Sequence, residues 1–380
     1  SDTRTSQIEN GRSATLCRRQ QAMVFRKSVA AEPVNHVAEN RNIVMDWLRG
    51  LGAMWVVLFH INEPIPFEST PWRWFCKYGW LGVPVFFAVS GYCMAMLADK
   101  NPAPQRFLTS RWTRILIPYW GSLVVVLGVV SLRLLVTGVN DVTALPQTVV
   151  SLLATLTLTT KPVTNIPAVN WVYWSLSYEL AFYLIVALAL FSRKTTVAIF
   201  LVFCGSVVGF FFVPSALTWS PFFWCDKFPL FLAGWYGFQC ITNRCAWYVA
   251  VMLIAVLVAG VWMTSLIQVV AAAIATSLVM LGSRVTNTKF LDSKLSRGLQ
   301  ALGAQSYSLY LLHVPVGVYL FCRLRPAFSS QIGHIVFDLA VLVGCVITAW
   351  IFYRLVEVPA HHWARNLSNK RSANVAPAGS

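Results

Sequence analysis

Ten stretches of this sequence, near 43–62, 79–98, 114–137, 171–191, 195–214, 226–241, 246–263, 265–282, 304–322 and 334–356, are predominantly apolar. Most of them approach or exceed the roughly 20 residues that a helix needs to cross a hydrocarbon layer of about 30 Å. Composition removes the alternative of a soluble core. Only 12% of residues are charged and 57% are hydrophobic, whereas a soluble domain carries roughly 25% charged residues to face water. The expected fold is therefore all-α, a polytopic integral membrane bundle of about ten transmembrane helices. The stretch 147–160 is apolar but short, which fits a re-entrant or surface helix and leaves the count of spans open at that point.

The chain has 30 Lys and Arg against 14 Asp and Glu, a formal charge of +16. In a soluble protein such a balance points first to nucleic acid. Here the cations fall mostly in the tails and short connections, the pattern of segments held on the anionic cytoplasmic face of a membrane, so membrane lipid is the expected partner and nucleic acid is not. With the N-terminus inside, the inner connections hold Lys100, Arg106, Arg111 and Arg114, then Arg193 and Lys194, then Arg244, then Arg284, Lys289, Lys294 and Arg297. The inner C-terminal tail holds Arg365, Lys370 and Arg371. Arg73, Lys77, Lys161, Arg323 and Arg325 are exceptions on the outer side.

An even number of spans places both termini in the cytoplasm. One membrane domain, 41–364, is expected between a cytoplasmic N-terminal tail, 1–40, and a short C-terminal tail, 365–380, with no cleavable signal and no internal repeat. Nine cysteines are scattered without a C-x-x-C pair, which reads as small buried hydrophobes rather than disulfides or metal ligands, and no metal site is expected.

An ionisable group inside a span costs about 2.5–3.5 kcal/mol to insert and is a functional candidate by default. Arg49 and His60 are eleven positions apart in the first span, close to three helical turns, so they share a face about 16 Å apart along the axis. That arrangement suits a polar stripe with a reacting centre at one end, although His60 could instead anchor a helix end and Arg49 could snorkel. In the fourth span Ser175 and Glu179 lie one turn apart beside Trp171, Trp174, Tyr178 and Tyr183. The carboxylate could bind a sugar hydroxyl, orient an imidazole or accept a proton, and the aromatics could stack on sugars or form an interfacial belt. Tyr310 and His313 share a face with Ser306 a turn earlier, a pattern equally suited to a helix–helix hydrogen bond. Arg106, Arg111 and Arg114 read as an inner loop just ahead of a helix, where guanidinium forks and a helix N-terminus could grip phosphates, or as charges that merely set topology.

The order and spacing of six segments resemble the acyltransferase-3 family of polytopic membrane acyltransferases. They are Asp46-Trp-Leu-Arg49-Gly50 followed by His60; Trp80-Leu-Gly-Val-Pro-Val-Phe-Phe-Ala-Val-Ser90-Gly91; Arg111-Trp-Thr-Arg114-Ile-Leu-Ile-Pro118; Trp174-Ser175-Leu-Ser-Tyr-Glu179-Leu-Ala-Phe-Tyr183; Ser306-Tyr-Ser-Leu-Tyr310-Leu-Leu-His313-Val-Pro315; and Glu357-Val-Pro359. The resemblance runs from about Asn42 to His362 and shows no departure at these positions.

It implies a bundle in the bacterial inner membrane that takes an acyl group, usually acetyl, from cytoplasmic acyl-CoA to a hydroxyl of a glycan or glycolipid. Acetyl-CoA is then a substrate, with no tightly bound cofactor. His60 would be the catalytic histidine, Arg49 its paired charge and Glu179 a supporting group. Arg111 and Arg114, with Arg106, would hold the CoA phosphates, while Trp174, Ser175, Tyr310 and His313 would face the acceptor. His60 would act as general base or carry the acyl group itself, and any relay would finish within the membrane domain. The rival class is a proton-coupled transporter, which would have no use for the thioester.

Overall fold

The computed structural model describes residues 42–63, 70–138, 145–192, 194–212, 222–242, 247–284, 293–325 and 330–364, and among them it is helical with no strand. Helices occupy all ten apolar stretches. They are α1 (Ile43–Asn62), the short α2 (Pro71–Lys77), α3 (Gly82–Ala98), α4 (Pro104–Thr137), the short α5 (Val149–Leu156), α6 (Trp174–Ala189), α7 (Thr195–Phe212), α8 (Phe228–Ile241), α9 (Trp247–Met263), α10 (Leu266–Gly282), α11 (Lys294–Ala304), α12 (Ser306–Leu312) and α13 (Gln331–Phe352). Two π-helical turns, His313–Val318 and Tyr353–Glu357, extend α12 and α13. Among the described residues seven helical runs are long and apolar enough to cross a membrane, and α9 and α10 are shorter apolar helices of 17 residues each. The chain is a polytopic helical membrane bundle. The tails 1–40 and 365–380 lie outside the described residues, as do Arg193, Arg244, Lys289, Arg365, Lys370 and Arg371.

One expectation needs correction, and the point left open at 147–160 is resolved. The arginines 106, 111 and 114 are not in a loop ahead of a helix. Pro104 opens α4 at its first turn, where a missing N–H costs nothing, and the helix runs unbroken through all three for 34 residues. Arg111 and Arg114 therefore stand in its second and third turns, past the terminus where free amides point. The stretch 147–160 forms α5, eight residues capped by Thr148, about 12 Å long and too short to span. Val149, Val150 and Leu153 stay exposed, while the carbonyls of Thr155 and Leu156 accept hydrogen bonds from the Tyr119 hydroxyl at 2.6 Å and the Trp120 indole at 2.9 Å. It is a surface helix tied to α4.

At the centre α8 is buried at every position from Phe228 to Gln239, which is why it can be short. It crosses α3 at backbone contact: a Cβ on Gly91 would lie 1.7 Å from the Phe231 carbonyl oxygen, and one on Gly234 1.8 Å from that of Ala88. Glycine pairing of this kind lets helices in lipid gain van der Waals contact that larger residues prevent. The crossing fixes α3, and with it Ser90 and Cys93, against the interior. At one end of the bundle, the arginine end, the start of α1 packs backbone to backbone on α11, where Gly303 meets the Asp46 carbonyl.

At the opposite, histidine end, two of the exceptional outer cations are committed inside the protein. Arg73 is buried and donates to the Asn62 side chain. Arg325 pairs with buried Asp338 at 2.7 Å and donates to the Ile61 carbonyl at 3.2 Å. Asp338 neutralises Arg325 within the bundle, so that cation no longer weighs on orientation, whereas Arg73 is buried against an uncharged amide.

Candidate active site

The site follows from which residues five helices turn inward. α1 contributes Arg49, α3 contributes Ser90 and Cys93, α4 contributes Arg111 and Arg114, α6 contributes Ser175, Glu179 and Tyr183, and α12 contributes Ser306, Tyr307 and Tyr310. Together they line a cavity of about 260 Å³. Its remaining wall is apolar, including Phe86, Phe87, Met94 and Leu97. A wider vestibule of about 540 Å³ adjoins it at the arginine end, sharing Leu97, Arg111 and Arg114 and adding Lys100, Arg106 and His361. The two spaces make a passage that narrows from a cationic mouth to a mostly apolar interior.

The polar groups of the inner cavity are arranged unevenly. Glu179 accepts from the Ser90 hydroxyl at 3.0 Å and from the Tyr183 hydroxyl. Tyr307 donates to the Ile115 carbonyl at 2.9 Å. The guanidinium groups of Arg49, Arg111 and Arg114, by contrast, make no hydrogen bond to any described residue, and Arg111 Nε is buried without a partner. Arg49 lies within electrostatic reach of Glu179 and Asp46, and Arg111 within reach of Arg114. Three cations thus face one cavity with forked guanidinium donors, the groups that make charge-assisted pairs with carboxylate and phosphate in proteins.

The cavity closes toward the histidine end at Tyr310. Its hydroxyl donates to the Val172 carbonyl, so the 2.7 Å contact with Ser175 must run from the Ser175 hydroxyl to the Tyr310 oxygen. Beyond this closure His313 is fully buried, and its ring stacks on His60 with centroids 5.1 Å apart. His60 is 8% exposed, its Nδ1 lies 3.1 Å from Glu63 Oε2, and Trp171 packs edge-on to the ring at 4.5 Å. Order along the passage is thus Arg106, Arg111 and Arg114 at the mouth, Arg49 with Glu179 midway, Tyr310 with Ser175 at the closure, then His313 and His60.

Of the residues singled out in the sequence, seven line this passage, Arg49, Glu179, Arg106, Arg111, Arg114, Ser175 and Tyr310, while His313 and His60 stack on each other beyond its closure. Trp174 does not line it; its ring packs edge-on against Phe87 and Tyr178. Glu179 bonds Ser90 and Tyr183, whereas the carboxylate on His60 is that of Glu63. Glu63 went unread because it lies past the apolar run, yet its position three residues after His60 was a usable signal. Ser90 and Tyr183 stood within the quoted segments without an assigned role, and Tyr307 likewise.

A helical bundle with a cation-mouthed, largely apolar cavity inside it defines a class, the polytopic membrane proteins. The family model described as an acyltransferase domain, acyltransferase-3, matches residues 42–354, and the chain belongs to that family. No curated protein and no solved structure matches the chain. The protein is a membrane acyltransferase.

Proposed function

We propose that this protein is an O-acyltransferase of the bacterial inner membrane. It moves an acyl group, acetyl in the first instance, from cytoplasmic acyl-CoA to a hydroxyl of a glycan or lipid-linked saccharide of the cell envelope. The observation that carries the reading is the set of three guanidinium groups, Arg49, Arg111 and Arg114, that line one cavity without a hydrogen bond to any described residue. A CoA thioester has the matching shape, with a polyphosphate head for Arg106, Arg111 and Arg114 and a thin arm for the apolar interior.

Arg49 and Glu179 are placed to meet the arm midway. Arg49, within electrostatic reach of Glu179, offers hydrogen-bond donors to the carbonyls of the arm in the middle of the passage. Tyr310 and Ser175 stand between the donor cavity and His60, so the thioester reaches the imidazole when that hydrogen-bonded closure yields. Glu63 fixes the His60 ring by accepting from Nδ1–H, which leaves the Nε2 lone pair for chemistry, the role a carboxylate plays behind a catalytic imidazole. Half-exposed Glu63 and Trp171 border the open side, where a sugar hydroxyl would arrive. The low polarity of the passage keeps water from the thioester.

The test is release of CoA thiol by the purified protein in liposomes given acetyl-CoA on the arginine side and envelope glycolipid on the other. Thiol release that depends on the glycolipid supports the reading. A protein that leaves acetyl-CoA untouched while moving the saccharide across the bilayer would be a transporter instead.

A further inference from the structure

His313 is a buried imidazole with no task in the transfer as described so far. Its Nδ1 lies 2.7 Å from the Tyr310 carbonyl oxygen. A carbonyl can only accept, so Nδ1 carries the hydrogen and Nε2 is a bare lone pair. That Nε2 is buried and has no hydrogen-bond partner, an arrangement that costs stability and that folded proteins seldom keep without use. The residue also opens the π-helical turn His313–Val318, a widened geometry frequent at functional sites.

The neighbouring ring is in the same condition. His60 Nδ1 faces the Glu63 carboxylate at 3.1 Å, which likewise leaves Nε2 as its lone pair. The two rings stack at 5.1 Å with 25° between their planes. Two imidazoles therefore stand side by side, each anchored through Nδ1–H and each with an unprotonated Nε2. One nitrogen cannot hold an acyl group and accept a hydroxyl proton at the same moment. Two nitrogens can divide these tasks.

We propose that the transfer proceeds through an acyl-His60 intermediate and that His313 is the general base of its second half. This rests on the acyl-CoA reading above. In the first step His60 Nε2 attacks the thioester carbonyl carbon. A C–N bond forms, the C–S bond breaks, and CoA leaves as the thiolate with the bonding pair. The positive charge on the acylated ring is balanced by Glu63. In the second step the acceptor oxygen attacks the acyl carbon while its proton passes to His313 Nε2. A C–O bond forms, the C–N bond breaks, and the electron pair returns to His60. The proton then leaves His313 and ends on the CoA thiolate, so the net change is thioester and alcohol to ester and thiol. Burial of His313 serves this step because a base open to water would hydrolyse the acyl-histidine.

The experiment uses His313→Asn, whose side-chain amide keeps a donor for the Tyr310 carbonyl and removes the base. Purified parent and variant receive acetyl-CoA labelled in the acetyl group, first alone and then with envelope glycolipid. The expected variant releases about one CoA per protein, retains the label on the peptide containing His60, and transfers it to carbohydrate at least about 100-fold more slowly than the parent. His60→Ala should release none. Turnover by His313→Asn at the parent rate would overturn the proposal. So would loss of the single CoA release along with turnover in a variant that elutes as the parent does on size exclusion, since His313 would then be needed before the acyl-enzyme. A parent that consumes no acetyl-CoA at all would defeat the donor reading instead.

Discussion

Removing the guanidinium groups at the cavity mouth offers the clearest quantitative prediction. Arg111 and Arg114 make no hydrogen bond to any described residue, so truncation breaks no hydrogen bond within the protein and its main effect falls on the ligand. A hydrogen bond involving a charged group contributes about 1.5–3 kcal/mol, and each 1.4 kcal/mol is tenfold in affinity. The second arginine retains part of the attraction, so Arg111→Ala or Arg114→Ala alone should raise the KM for acetyl-CoA about tenfold. The double variant should raise it about 100-fold. The assay compares acetyl-CoA with acetyl-pantetheine, which has the same thioester and arm but no phosphate. Parent and variants should use acetyl-pantetheine equally well. Stability should hold or rise, because Arg111 Nε is buried without a partner in the parent. If the variants lose activity on both donors in equal measure, the arginines shape the cavity and do not bind phosphate, and the argument from unpaired donors fails.

Other expectations are as direct. Glu63→Gln removes the charge behind the His60 ring; because Glu63 is half exposed, the lower end of the charged-bond range applies and kcat should fall about tenfold, whereas an unchanged kcat would deny it an orienting role. Tyr310→Phe leaves Ser175 and the Val172 carbonyl unsatisfied in a buried position and should cost about 1–3 kcal/mol, read as a lower midpoint of thermal unfolding in detergent. Arg325→Ala strands the buried Asp338 carboxylate and should cost about 3–5 kcal/mol, with most of the loss recovered in the Arg325→Ala, Asp338→Asn double variant; no recovery would show that the pair is not the coupling. Gly234→Val would push a Cβ into the Ala88 carbonyl and should yield little folded protein, while Gly128→Ala, with nothing within 4 Å, should behave as the parent does.

Much of this was legible in the residues because lipid imposes a simple rule. Apolar runs of membrane length had to become helices, and all ten did. The sparse polar groups within them also announced themselves, since Arg49, Glu179, Tyr310 and His313 had no cheap reason to lie in an apolar run. What remained hidden depends on long-range packing. Nothing in the local pattern says that Ser90 turns toward Glu179 across 89 positions, or that His313 stacks on His60. Arg73 and Arg325 looked like stray outer charges because their partners, Asn62 and Asp338, are set by the fold. The arginine segment was misread as a loop because three cations in nine residues resemble a membrane flank, while Pro104 as a helix opener carried the better signal.

The most direct test of the central claim is transfer of labelled acetyl from acetyl-CoA by membranes containing this protein, beside membranes with His60→Ala at equal abundance. The account predicts label in envelope carbohydrate from the parent and none above background from the variant. Equal labelling from both would keep the transferase and remove His60 from its centre.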